Sequence, residues 1–171
     1  MQHDDLKMGC MPGDHQVYTK EGYKDISSVT TQTEVAVWNP NTGVISYECP
    51  ANVIQRKHRG RLLTFSSSER MLTLAVTPMH PMPVLSVEND AKLIDVVFGH
   101  LVSYSASNGF PVVNISQSGD PVSVSSLSGN SITKKSEQYD GMVYGLDVST
   151  GWYLVRHQGS LTVTGNSFYP S

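Results

Sequence analysis

Three short clusters in this sequence carry side chains that can make and break acyl bonds. Cys10 follows Gly9 near one end. A thiolate is a strong nucleophile, and a thiol serves when a base lies beside it. The Gly9 carbonyl is bonded to the Cys10 nitrogen, and glycine has no side chain to crowd an attack on it. Attack by the Cys10 sulfur would convert that amide into a thioester. The second cluster is Thr77-Pro78-Met79-His80-Pro81. An amide nitrogen leaves well only when protonated, and a histidine can deliver that proton near neutral pH. The prolines restrict the backbone on both sides of the imidazole, and Thr77 adds a hydroxyl to the segment. The third cluster is Gly165-Asn166-Ser167. An asparagine amide can attack its own backbone carbonyl, form a succinimide and cut the chain after Asn166. Gly165 supplies the backbone freedom this needs, and the Ser167 hydroxyl could first capture an acyl group. Taken singly, each cluster has a plainer reading: a small buried apolar cysteine, a proline-rich turn with a surface histidine, and an Asn-Ser surface turn prone to deamidation.

The clusters are far apart in sequence, so a fold has to bring them together. A chain of 171 residues suits one domain, large enough to build a core without metal or disulfide staples. The net charge of −3 and pI near 6.0 point away from nucleic-acid and membrane-surface partners. No apolar run approaches the roughly 18 residues of a membrane span, and the polar, acidic start at residues 1–9 does not read as a signal peptide. Two cysteines make no disulfide framework. The expectation is a reducing, cytoplasmic setting, since a Cys10–Cys49 disulfide would block the thiol. No cofactor and no metal site are expected.

Strand-like runs recur between turn signals, and helix-forming runs are scarce, which predicts a mostly β domain. Strands are expected at 16–19, 33–38, 44–49, 62–65, 71–76, 142–148, 152–157 and 160–164. Asn39-Pro40-Asn41-Thr42-Gly43 reads as the turn of a hairpin. The basic run 56–61 reads as a solvated turn, with a phosphate-contacting patch as the lesser alternative. Residues 66–70 read as a polar turn. Leu93, Ile94, Val97 and Phe98 fall on one helical face, so 89–99 reads as a short helix capped by Asn89 and ended by Gly99; a strand over 96–104 competes. Residues 24–32 read as a loop, and the Ser- and Gly-rich stretch 116–140 as a flexible loop or an artificial join.

With these pieces in order, the chain resembles an intein. Cys10-Met11-Pro12-Gly13-Asp14 with Val17, Thr19 and Glu21-Gly22-Tyr23 is similar to the first intein block. Leu74 to Pro81 resembles the block carrying Thr-x-x-His. Val143-Tyr144-Gly145-Leu146-Asp147-Val148 with Tyr153-Leu154-Val155 resembles the late strand block, and Val163-Thr164-Gly165-Asn166-Ser167 the terminal block. The resemblance covers nearly the whole chain and leaves no room for an inserted endonuclease, so it implies a mini-intein. It implies the compact all-β hedgehog/intein (Hint) fold, with both junctions in one cleft. Residues 10–166 would be the splicing domain, and 1–9 and 167–171 its flanks, the exteins.

The implied reaction has four steps. Cys10 attacks the Gly9 carbonyl while His80 protonates the leaving nitrogen and Thr77 orients the bond. Ser167 takes the acyl group by transesterification. Asn166 cyclises, and an oxygen-to-nitrogen shift joins Gly9 to Ser167. Hint-type cleavage without ligation is the alternative, and a non-catalytic β-sandwich binding module, with Trp38, Trp152 and the basic run as contacts, is a further one. The sequence departs from the family pattern where Gly165 stands in place of a common histidine, where Gly145 stands in place of a common aspartate, and near Trp152, where another histidine is common. His157 and Asp147 are then the candidates to substitute at the downstream junction. Ser167-Phe168-Tyr169-Pro170-Ser171 is similar to the Ser-Leu-Tyr-Pro-Ser segment of family B DNA polymerases, implying such a host. The partners implied are the chain's own exteins in cis, or a complementary intein half if the chain is split near 128–140 or 24–32. A monomer is expected.

Overall fold

The computed structural model describes residues 9–67, 72–88 and 90–167. Turn chemistry sets its corners. Asn39 Oδ1 accepts hydrogen bonds from the N–H groups of Asn41 (2.9 Å) and Thr42 (3.3 Å), and Gly43 takes a φ of 76°. That reverses the chain between β4 (Val35–Trp38) and β5 (Ile45–Glu48). Gln158 and Gly159, at φ 51° and 85°, form the two-residue corner between β13 (Trp152–His157) and β14 (Ser160–Gly165). Two successive positive φ values define the hairpin turn whose twist matches its strands.

The remaining strands are β1 (Met11–Pro12), β2 (Gln16–Thr19), β3 (Gly22–Asp25), β6 (Asn52–Ser67), β7 (Leu72–Val76), β8 (Pro81–Leu85), β9 (Leu93–Phe98), β10 (Gly109–Ile115), β11 (Pro121–Ser128) and β12 (Thr133–Asp147). They form three sheets, ordered β1-β12-β6-β7, β11-β10-β8-β9 and β14-β13-β2-β4-β5, with β3 paired to β2. The longest ladder is antiparallel β6–β12, running from Thr133 opposite Ser66 to Asp147 opposite Asn52. The main core joins side chains from all three sheets, among them Met11, Val37, Phe65, Leu74, Phe110, Leu146 and Tyr153. The described residues are all-β apart from short 3-10 turns at Ile26–Ser28 and Gly129–Ser131.

Three local expectations are corrected. The segment expected as a helix at 89–99 contains strand β9, paired with β8 from Pro81–Phe98 to Leu85–Leu93. Asp90 and Ala91 take φ values of 48° and 59°, which turn the chain just before that strand, and Ile94, Val96 and Val97 favour an extended backbone. The basic run is no turn: it lies within β6, with Lys57 and Arg59 exposed and Arg56 and His58 half-buried. A strand exposes every second residue, so charge on one face does not end it. Residues 116–140 are not a flexible loop but hold β11 and most of β12. Their polar side chains face outward while long-range pairing with β10 and β6 satisfies the backbone. The turn expected at 66–70 falls largely on residues 68–71, and the cap assigned to Asn89 and the flanks at 1–8 and 168–171 likewise lie outside the described residues.

Candidate active site

The site forms where Gly9-Cys10 meets Ser167. Strand β1 pairs with β12, Met11 opposite Tyr144 and Pro12 opposite Val143. This threads Gly9-Cys10 alongside the segment that follows β7. The Cys10 N–H donates to Thr77 Oγ1 at 2.9 Å, and the Thr77 N–H donates to the Cys10 carbonyl at 2.9 Å. At the other end, the β13–β14 hairpin places Gly165 opposite Trp152. The Asn166 N–H then donates to Gly151 O at 3.0 Å, and the Ser167 N–H to Leu146 O at 3.0 Å. Gly9 and Ser167 are joined directly, by a Gly9 N–H to Ser167 O bond of 2.6 Å. Cys10 Sγ and Ser167 Oγ lie 3.8 Å apart. Cys10, Thr77, His80 and Ser167 are all buried.

His80 closes the site from the loop between β7 and β8. Its N–H donates to Thr77 O at 3.1 Å, and its carbonyl accepts from the Gly99 N–H at 2.8 Å. Its Nε2 lies 2.5 Å from Thr164 Oγ1. Its Nδ1 faces Gly9 without a hydrogen bond of good geometry. Burial drives the His80 imidazole down to about 3; the Gly9 carbonyl opposes that fall and His15 adds to it. The ring is therefore neutral at pH 7, and to act as an acid it must first take up a proton. Burial likewise raises the Cys10 thiol, against the Arg56 charge and hydrogen bonds from Ser167 and Arg56, with Asp147 adding to the rise.

Asn166 is held by its side chain. Oδ1 accepts from the Val148 N–H at 2.8 Å, and Nδ2 donates to Val148 O at 3.0 Å. The amide thus mimics a strand partner. The two glycines that depart from the family pattern have steric reasons. A Cβ on Gly165 would fall 2.9 Å from Pro81 O and 3.1 Å from both Pro81 Cβ and the Trp152 ring, so this fold leaves no room for a histidine there. A Cβ on Gly145 would overlap Ser167 Oγ, and would lie 2.9 Å from Ser167 Cβ and 3.1 Å from Gly9 O. The serine hydroxyl fills the space that an aspartate would need.

Not every candidate converges. Asp147, at the end of β12, accepts from Asn52 Nδ2 at 3.3 Å, adjoins the Val148 clamp and acts on Cys10 by its charge. His157 stands opposite Ser160, at the other end of the hairpin from Gly165. It contacts Thr73 Oγ1 through Nδ1 (2.9 Å) and Asp14 Oδ2 through Nε2 (3.0 Å), and stacks on His15 at 3.9 Å. Asp14, His15 and His157 bring ligand-type atoms together. However, His15 Nε2 accepts from the Ala75 N–H at 3.1 Å, so Nδ1 carries the proton that Pro12 O and Asp14 receive. That makes the trio a hydrogen-bonded tie rather than a metal centre. Cys10 and Cys49 are both free thiols.

Sequence reasoning missed Thr164, Tyr153 and Arg56. The first two are cross-strand partners on β14 and β13, so one face carries both the hydroxyl that meets His80 and the Tyr153 ring. Tyr153 is wholly buried, and its hydroxyl lacks a well-formed hydrogen bond despite the nearby Leu146 backbone. Tyr153→Phe is therefore expected to hold stability constant or raise it by up to about 1 kcal/mol. Denaturant midpoints would read this out, and a loss of similar size would reveal a partner for the hydroxyl.

No protein-family model matches the sequence. A 101-residue stretch is 33% identical to the ATP-dependent Clp protease proteolytic subunit of Chlamydomonas moewusii, covering 56% of this chain and 10% of that protein. The chain thus spans about a tenth of that relative's length. Among solved structures, a splice-inactive, glutathione-linked variant of the AceL NrdHF class 3 split intein matches with a TM-score of 0.80 at 20% identity, over 93% of this chain and 99% of that one. The KlbA intein precursor of Methanococcus jannaschii matches at TM-score 0.67 and 13% identity, over 93% and 92%. The TvoVMA intein matches at TM-score 0.63 and 14% identity, over 91% and 96%. The chain therefore has the compact all-β Hint fold of the inteins.

Proposed function

We propose that the chain splices itself, excising residues 10–166 and joining Gly9 to Ser167. The observation that carries this reading is the meeting of both junctions in one buried site, with the Cys10 thiol 3.8 Å from the Ser167 hydroxyl. In the first step the sulfur attacks the Gly9 carbonyl carbon and the bond to the Cys10 nitrogen breaks. With Nε2–H donating to Thr164, His80 Nδ1 is free to take the thiol proton and return it to the departing nitrogen. Thr77 Oγ1, already accepting from that N–H, holds the amide in line. Ser167 Oγ then displaces sulfur from the acyl carbon, with Gly145 leaving it the space to do so. Asn166 Nδ2 leaves Val148, attacks its own carbonyl and releases Ser167, whose freed amine takes the acyl group from its own oxygen.

Ligation is favoured over cleavage alone because the acceptor hydroxyl is already in place. The partners are the chain's own exteins in cis. The match confined to a tenth of a longer protein fits a segment embedded in a host, and the residues after Asn166 favour a family B DNA polymerase as that host. The short connector at Gly129–Ser131 is where a natural split would fall with least disturbance, since it joins two strands at their ends. The test is expression between two large, distinguishable flanks followed by intact-mass analysis. A ligated flank product is expected. Ser167→Ala should form the thioester and cut but never ligate, and Cys10→Ala should stop the upstream step. An unchanged precursor across pH and temperature would refute the reading.

A further inference from the structure

The basic run leaves one residue unaccounted for. Arg56 stands opposite Val143 in the β6–β12 ladder, and Ile54 stands opposite Gly145. Opposite residues in an antiparallel pair share a face, as do residues two apart on one strand. Arg56 therefore shares the face on which a Gly145 Cβ would meet Ser167 Oγ and Gly9 O. From the other edge of β12, Met11 pairs with Tyr144, which brings Cys10 alongside Gly145. Arg56 is the diagonal neighbour of that position, a separation that a long side chain spans. Unlike Lys57 and Arg59 it is half-buried, and its Nε is fully enclosed. Its positive charge is the largest influence opposing the effect of burial on the Cys10 thiol. The other groups acting on Cys10 are Asp147 and Ser167, while Tyr153 and His80 close the site.

The geometry points to Arg56 as a catalytic residue of the upstream junction, its guanidinium holding the Cys10 sulfur and stabilising it as the thiolate that attacks Gly9. This rests on the splicing reading above. The step is an isomerisation: a carbon–sulfur bond forms, the carbon–nitrogen bond to Cys10 breaks, and the thiol proton ends on the Cys10 nitrogen. Nothing is oxidised or reduced. A fixed cation offsets part of the cost of forming an anion in a buried pocket. A neutral thiol flanked only by a neutral imidazole lacks that help.

Two measurements on the full chain test the assignment. The first is dithiothreitol-induced cleavage at Gly9–Cys10 in an Asn166→Ala background, followed from pH 6 to 9. Arg56→Met is expected to slow it about 10- to 100-fold at pH 7 and to move the rise of the profile to higher pH, with Arg56→Lys recovering part of the loss. Equal rates and profiles in Arg56→Met and its parent would overturn the proposal. So would equal losses in both variants without any shift of the profile, which mark a structural role. The second is the Cβ chemical shift of 13C-labelled cysteine in a Cys49→Ser background, which titrates Cys10 whether or not splicing occurs. Its midpoint should rise by at least about half a pH unit in Arg56→Met, and an unmoved midpoint would overturn the proposal. A parent that shows the shift but no cleavage would instead sink the splicing reading while the Arg56–Cys10 contact stands.

Discussion

Gly145→Ala is expected to lower the yield of ligated flanks at least about 100-fold, because the new methyl must occupy the position of Ser167 Oγ. The rest of β12 can accept alanine: Gly145 pairs normally with Ile54 in an unbroken ladder, and its conformation is not among the positive-φ glycines. The damage should fall mainly on the acceptor, since the Gly9 carbonyl oxygen, 3.1 Å from the new methyl, needs to give by only a few tenths of an ångström. The Gly9–Cys10 bond should still break, with separate flanks replacing the joined product. Gly145→Asp should be worse still, since a larger side chain meets the same hydroxyl. Intact-mass analysis of the flanks measures all three species. Ligation in Gly145→Ala at the parental rate would show that Ser167 attacks from elsewhere.

Gly9→Ala should have an effect of similar size at the upstream junction. A Cβ at Gly9 would collide with His80 Cα and lie 2.6 Å from Nδ1 and 2.9 Å from Cβ. Two of these atoms are fixed by the His80 backbone, which is tied at both its N–H and its carbonyl. Neither the alanine nor the imidazole can yield without moving the scissile bond relative to its base, and displacements near 1 Å cost about 100-fold. Precursor should accumulate, more with Gly9→Val than with Gly9→Ala, while the denaturant midpoint changes little. A Gly9→Val protein that reacts like its parent would remove His80 from the role assigned to it.

The chemistry at the two ends was legible in the sequence because each group must be one of very few residue types. Acyl transfer between two junctions calls for a nucleophile at each, and the fold brings Cys10 Sγ within 3.8 Å of Ser167 Oγ while the Asn166 side chain lies on Val148. Short apolar strands such as β2 and β13 were legible for a similar reason, since their alternation and their bounding turns are local. What escaped was set by pairing across the chain. Arg56 looked like part of a solvated turn until its partner Val143 showed which face it shares. Thr164 and Tyr153 gained meaning only as opposite residues on neighbouring strands. Polar stretches such as 116–140 carry little local signal because their strands are stabilised by the ladders they join. The missing histidine at Gly165 was visible, but the cause of its absence, the nearby Pro81 carbonyl, was not.

The clamp on Asn166 bears on the lifetime of the protein before it reacts. An Asn-Ser pair in a free peptide ages: the serine nitrogen attacks the side-chain carbonyl and expels ammonia, or the side-chain nitrogen attacks the backbone carbonyl and the chain breaks. Here both ends of that amide are occupied by Val148, and the Ser167 N–H is held by Leu146 O, so cleavage by Nδ2 must wait until the bond to Val148 O is given up. On the splicing proposal, a chain that broke at Asn166 before its flanks were connected would leave them permanently apart. If the chain splices as proposed, two ordinary hydrogen bonds to one backbone residue would work as a timer, keeping the irreversible cut behind the reversible transfers.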